Sequence, residues 1–149
     1  MYTKTYKGRF RVLNHSKYKG DITTVIYRSL WELRFMKWCD QSPSIIEWGS
    51  ETVIIPYVSP VDRKVHRYFV DFYIKVKSKN NTIEKYLIEI KPEKFTKPPE
   101  IPKKKTKRFI DEVFQYGVNE AKWKAAFEFC IDRNMKFLVL TEKDLGLSK

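Results

Sequence analysis

The sequence predicts an α/β domain of the α+β kind, in the order helix, three-stranded antiparallel meander, helix, strand, built around a mixed central sheet. Three observations lead there. Strand-like runs at 51–58, 66–75 and 86–91 are separated only by the turn signals at 59–64 and 78–82, which makes them successive antiparallel neighbours. Helical periodicity flanks these runs on both sides. A short, continuously apolar run at 136–141 follows the second helix, and a helical crossover commonly sets such a strand parallel to its neighbour inside a sheet.

Residues 1–21 read as a basic, aromatic arm with little periodicity, interrupted by Gly8 and Gly20. Its Lys4, Lys7, Arg9, Arg11, Lys17 and Lys19 are suited to neutralise phosphates, while Tyr2, Tyr6, Phe10 and Tyr18 either stack on bases or anchor the arm. A single domain is expected over 22–149. Its first helix is expected to start near Asp21 or Thr23, both acceptable N-caps, and to run to about Cys39, apolar over much of its circumference. Arg28 and Glu32 then fall four residues apart on one face. A surface ion pair is the common meaning of that spacing, but a carboxylate between Trp31 and Leu33 on a largely buried helix is costly without a use.

Beyond the helix, 45–48 and 51–58 read as extended, with Pro56 at an edge or bulge. Alternation along 66–75 sets Val70, Phe72 and Ile74 on one face and Phe69, Asp71 and Tyr73 on the other. His66, an odd number of residues from Asp71, falls on the face opposite to it and is a poor metal ligand. In the next strand Ile88 and Ile90 oppose Leu87, Glu89 and Lys91. Four prolines exclude regular structure over 92–107, leaving a mobile loop that carries Lys94, Lys103, Lys104 and Lys105. A second helix is expected from about Thr106 to Asp132, with Ile110, Phe114, Val118, Ala121, Ala125 and Phe129 on its apolar stripe. Gln115, Asn119 and Lys122 share a neighbouring polar face.

The formal charge of +12 is localised: residues 1–20 carry six basic and no acidic side chains, and 91–108 carry eight basic against two acidic, so the other residues balance. Such concentration suits a polyanion, with a solubilising tail as the plainer alternative. Cys39 and Cys130 lie in apolar helical contexts without metal-type spacing and are expected to be reduced, as in an intracellular protein. No apolar run reaches membrane-spanning length, so a soluble cytosolic protein with no membrane partner is expected.

Two strands carry charge where a buried strand should not. Asp71 stands among aromatics, and Glu89 and Lys91 point the same way about 7 Å apart. Phosphodiester hydrolysis needs a divalent cation to polarise the phosphate and activate water, together with groups that stabilise developing negative charge. Mg²⁺ prefers oxygen donors and takes only one or two carboxylates, with Mn²⁺ a substitute. Asp71 and Glu89 suit that role, with the Ile90 carbonyl as a third ligand, Lys91 to orient water or stabilise the transition state, and Glu32 to hold a second ion or position the water.

The order helix with Glu32, strand, strand with Asp71, strand with Glu89-Ile90-Lys91, helix, strand resembles the PD-(D/E)xK nuclease superfamily. More closely, Tyr27-Arg-Ser-Leu-Trp-Glu32, Ile55-Pro-Tyr-Val-Ser-Pro-Val-Asp62, His66-Arg-Tyr-Phe-Val-Asp71 and Asn119-Glu-Ala-Lys122-Trp123 resemble the head-completion nucleases of large tailed bacteriophages. Val70 stands where a proline often precedes the aspartate. The resemblance implies a restriction-endonuclease-like core, catalytic roles for Glu32, Asp71, Glu89 and Lys91, and Mg²⁺-dependent cleavage of double-stranded DNA. It also implies processing of packaged ends before the tail joins, contact with portal or neck proteins, and a place in the host cytoplasm or the virion. The basic arm, Arg28, the proline and lysine loop, Gln115, Asn119 and Lys122 become candidate DNA contacts. Two other readings stay open: a structural head-completion factor with an idle site, and a resolvase or repair nuclease with no virion role.

Overall fold

The computed structural model describes residues 6–146. A four-stranded sheet forms its centre, in the order β3 (Ile45–Ser50), β6 (Phe72–Lys77), β7 (Ile83–Ile90), β8 (Lys136–Leu140). The first three run antiparallel, and β8 is parallel to β7, as the crossover through a helix requires. Between β3 and β6 the chain inserts a separate hairpin, β4 (Ile54–Val58) with β5 (Val65–Phe69). A short ladder of β1 (Gly8–Arg9) with β2 (Ile26–Tyr27) precedes them. The helices are α1 (Leu30–Gln41) and α2 (Lys107–Asp132).

The meander and the parallel final strand are observed, but the strand containing Asp71 is two strands. Its ladder partner changes from β4 to β3 at Val70 and Asp71, where Val70 N–H donates to the Val53 carbonyl and Glu51 N–H donates to that of Asp71. The break resets the alternation. Val70 joins Tyr68, Ile55, Leu87, Ala126 and Cys130 in one apolar cluster, while Phe72 and Ile74 pack with α1 in another, so the three residues expected on one face are divided. The meander's first strand is therefore β3, and the segment at 54–58 belongs to the inserted hairpin instead.

α1 starts later than the periodicity suggests. Asp21 accepts from Thr23 N–H and caps only a single 3₁₀ turn, Ile22–Thr24, and the helix begins after Ser29, whose Oγ accepts from Glu32 N–H at 3.1 Å. α2 is capped by Thr106 as expected, but its buried face is Asn119, Ala126 and Cys130, with Ile110 and Phe114 exposed. Only its second half packs on the sheet cluster; its first half faces the proline and lysine loop.

The N-terminal segment is part of the domain from residue 8 onward. Val12 and Tyr18 belong to the core, and Phe10 and Tyr18 meet the Trp48 ring edge-on at centroid separations of 5.7 and 4.7 Å. Buried Asp40 near the end of α1 accepts from the Leu13 N–H at 2.8 Å, and Lys17 Nζ donates to the carbonyls of Asp40 and Ser42. Gly49 allows the Lys19 carbonyl to lie close to β3, since a Cβ there would stand 2.7 Å from that oxygen. Among the described residues no helix is long and apolar enough to cross a membrane.

Trp48 is fully buried, yet its Nε1 has no hydrogen-bond partner among the described residues. Trp48→Ala should therefore cost about 3–5 kcal/mol in urea unfolding through the cavity alone. Trp48→Phe, which loses no hydrogen bond, should cost less than half as much.

Candidate active site

The last pair of the β6–β7 ladder is Phe72 with Ile88, so Asp71 stands one residue beyond it, level with Glu89. Two carboxylates thus meet at the end of the central sheet. Asp71 Oδ2 accepts from the Ile90 N–H at 2.8 Å. Ile90, expected to lend its carbonyl to a metal, is seen contributing its N–H to this carboxylate. Glu89 is buried; Tyr68 Oη donates to its Oε1 at 2.6 Å, and Lys91 Nζ lies 3.6 Å from its Oε2. β5 delivers Tyr68, β7 delivers Glu89, and Lys91 follows directly after the end of β7, so the inserted hairpin exists in part to hold one carboxylate.

Glu32 reaches the same region from the start of α1. Its Oε1 accepts from the Arg28 N–H at 3.0 Å while its own N–H bonds Ser29, a reciprocal arrangement close to a capping box. The Ser-x-x-Glu signature for it lies in the sequence at Ser29 to Glu32. Arg28 precedes the helix and pairs through its guanidinium with Glu51 at 3.1 Å, so Arg28 and Glu32 do not share a helical face as expected.

The electrostatics tie these groups together. Burial raises the Asp71 carboxyl well above the usual aspartate value, the Glu89 charge raises it further and Glu32 adds to this, while the Ile90 N–H and Lys91 oppose the shift. Burial also raises Glu32, opposed by the Arg28 N–H, with Glu51 and Glu89 adding to the rise. The Tyr68 phenol is pushed far up by burial and then by Glu89, so it stays a donor. Lys122, from α2, lies over the rings of Tyr57 and Tyr68 at 5.9 and 5.5 Å; burial lowers its ammonium, and the Glu89 and Asp71 charges partly restore it.

The structure therefore brings Glu32, Asp71, Glu89 and Lys91 together and adds Lys122, a candidate DNA contact, to the same cleft. Tyr68 was missed, since a tyrosine in an alternating strand carries no sign of the acid it will meet. The other candidate DNA contacts are scattered. Lys4 lies outside the described residues. Lys7, Arg9, Arg11, Lys94, Lys103, Lys104 and Lys105 are exposed, as is Gln115, while Asn119 is buried beside it. Lys17 is engaged at the end of α1, and Lys19 lies 3.7 Å from Glu47. His66 is in the hairpin, paired with Asp62 at 2.8 Å.

Residues 42–142 match the family described as TnsA-like endonuclease N terminal, a span that holds Asp71, Glu89, Lys91 and Lys122 and begins beyond Glu32. The chain belongs to the TnsA-like endonuclease family. It is also 44% identical over 144 residues to the head completion nuclease of Enterobacteria phage T4, covering 94% of this chain and 93% of that protein. No solved structure gave a significant match. The mixed sheet with its two helices is that of a restriction-endonuclease-like fold.

For this member of the TnsA-like family, the donor set fits a hard divalent cation. Among the described residues no three His, Cys, Asp or Glu side chains form a ready-made cage. Mg²⁺ does not need one, because it uses one or two carboxylates and keeps its waters. Asp71 and Glu89 are two oxygen donors whose mutual repulsion a cation would relieve. In metal-free protein that repulsion is a cost. Asp71 titrates above its ordinary 3.8 in the fold, so the penalty is present at neutral pH and fades as pH falls through the native value. Metal-free Asp71→Asn should accordingly melt higher than the parent at pH 7, by about 3 °C for roughly 1 kcal/mol relieved. The advantage should shrink on acidification, as thermal scans across pH would show.

Proposed function

We propose that the protein is a Mg²⁺-dependent DNA endonuclease that processes DNA ends during phage head completion. The observation that carries this is the convergence of Asp71, Glu89 and Lys91 at one sheet end, with Glu32 entering from α1. Membership of the TnsA-like endonuclease family and likeness to a head completion nuclease support it.

Asp71 and Glu89 would hold the ion, which when bound polarises the phosphate and makes a bound water a better nucleophile. Ile90 N–H fixes one carboxylate and Tyr68 Oη the other, so neither must reorganise as the substrate arrives. Lys91 Nζ, held beside Glu89, is placed to orient water or to meet negative charge building on the phosphate. Lys122, its ammonium partly desolvated over two tyrosine rings, adds a second positive charge that an entering phosphate can approach. Glu32 has one oxygen committed to the Arg28 N–H, and its other oxygen, without a protein partner among the described residues, would be available to a water.

A protein-docking role beside the chemistry has one surface in its favour. The outer face of the β4–β5 hairpin pairs exposed Ile54 with Phe69 and Val58 with Val65, apolar ground that a portal or neck protein would cover.

Linear, supercoiled and branched DNA incubated with Mg²⁺, Mn²⁺ or EDTA tests the activity. Cleavage should require the metal and fall at least about 10²-fold in Glu89→Gln and in Lys91→Ala, with circular dichroism unchanged. Metal-dependent cleavage intact in both variants would remove the assigned site. Glu32→Gln separates two roles of one residue: the amide still accepts from Arg28 N–H, so stability should stay within about 0.5 kcal/mol of the parent while cleavage drops.

A further inference from the structure

A cavity of about 940 Å³ lies between the loop that leaves Lys91 and the first half of α2. Both of its walls begin at the candidate active site. On the loop wall Lys94 follows Lys91 by three residues, and on the helix wall Asn119 precedes Lys122 by one turn. Phe95 and Tyr116 contribute flat aromatic surface, and Pro98 and Pro99 keep the loop from closing into regular structure.

The polar groups in the cavity are of a particular kind. Gln115 Nε2 donates to Asn119 Oδ1 at 3.1 Å, and Asn119 is only 3% exposed. That bond uses one donor and one acceptor of the pair, leaving the Gln115 carbonyl oxygen and the Asn119 amino group without a protein partner among the described residues. Flipping both amides exchanges the two ends but still leaves one acceptor and one donor. Gln115 is exposed and the Asn119 amino group still reaches solvent, so water can meet both in the free protein, and a ligand edge with the complementary pair can replace that water. Adjacent donor and acceptor groups are what the edge of a nucleobase presents. At the rim, four basic side chains stand against three acidic ones; Arg108 faces Glu112 at 3.9 Å and Lys97 faces Glu93 at 3.3 Å, so the lining itself is close to balanced. The positive excess is carried by Lys103, Lys104 and Lys105 on the same loop, all exposed, which favours an occupant with a phosphate backbone over a neutral peptide.

We propose that this cavity binds unpaired nucleotides of the DNA strand next to the phosphate that is cut, stacking a base on Phe95 or Tyr116 and reading its edge with the Gln115 and Asn119 amides. The proposal rests on the nuclease reading and adds to it a substrate class. A base inside a duplex is stacked on both sides and its pairing edge is occupied, so it cannot enter without being unpaired. Frayed ends, overhangs and flaps offer such bases at no such cost. The protein should therefore favour DNA ends with unpaired tails over intact duplex.

The test measures binding without catalysis. In EDTA, the protein is titrated against a short blunt duplex and against the same duplex carrying an unpaired tail with 2-aminopurine in it. The tailed DNA should bind about tenfold more tightly, with 2-aminopurine fluorescence quenched by stacking. The double variant Phe95→Ala with Tyr116→Ala should remove the quenching and most of the tenfold preference. Gln115→Ala, at an exposed position that threatens folding less, should lower the preference without abolishing the quenching. Equal affinity for blunt and tailed DNA, or a preference undiminished in both variants, would overturn the proposal, including the case in which a peptide is the true occupant. The same substrates with Mg²⁺ separate the two claims. Cleavage without tail preference would sink the pocket and leave the nuclease, whereas tail binding without any cleavage would sink the nuclease and leave the pocket.

Discussion

Two carboxylates of like charge, Asp71 and Glu89, are forced to stand level at the end of a sheet, and much of the surrounding structure answers to that constraint. In water such a pair repels weakly; partly removed from water, the repulsion grows, and burial together with the Glu89 charge makes Asp71 resist ionisation. Three supports hold the pair: the Ile90 N–H on Asp71, and the Tyr68 hydroxyl and the Lys91 ammonium on Glu89. Each support comes from a different structural decision. The first needs Asp71 to turn toward β7, the second needs the inserted hairpin, and the third needs the chain to leave β7 at Ile90 with Lys91 beside Glu89.

The strand break at Val70 and Asp71 connects these decisions. An unbroken strand would have kept Asp71 in a regular ladder and put Val70 with Phe72. The break passes the chain from hairpin to central sheet, sends Val70 to the α2 side and leaves the Asp71 carboxylate at the sheet's open end. Glu32 joins from the α1 side because its own helix starts at Ser29, which places the carboxylate in the first turn rather than mid-helix. One oxygen of Glu32 then serves the start of the helix, and the proposed function gives the other a chemical role.

Positive charge is distributed in a similarly divided way. Lys17 and Lys19 answer carbonyls and a carboxylate of the domain itself, so residues 12–19 are bound to the core through Asp40, Val12 and Tyr18. Lys7, Arg9 and Arg11 face solvent, as do the lysines of the loop beyond Lys91. Lys122 belongs to neither group. It sits between aromatic rings and acids, where a positive charge acts over short distance and with little screening.

The outline of helix, meander, helix and strand, the parallel last strand and the limits of α2 were legible in the sequence, and Glu32, Asp71, Glu89 and Lys91 were picked out there as candidates that the structure brings together. Periodicity, turn residues and a charge in a buried strand are local signals, and the resemblance placed them in one site. Other features were not legible. The late start of α1 is marked by Ser29 and Glu32, but the apolar run before it masked the cap. The division of 66–75 into two strands depends on which partner each half finds, and the exposed Ile110 and Phe114 depend on how far α2 extends past the sheet. The meeting of Tyr68 with Glu89, and of Gln115 with Asn119 above the loop, follows from those placements. By itself the sequence determined which residues could do chemistry. Only the tertiary structure decided which of them stand together, because the repulsion, desolvation and hydrogen bonding that set the site's character act through space between residues that lie far apart along the chain.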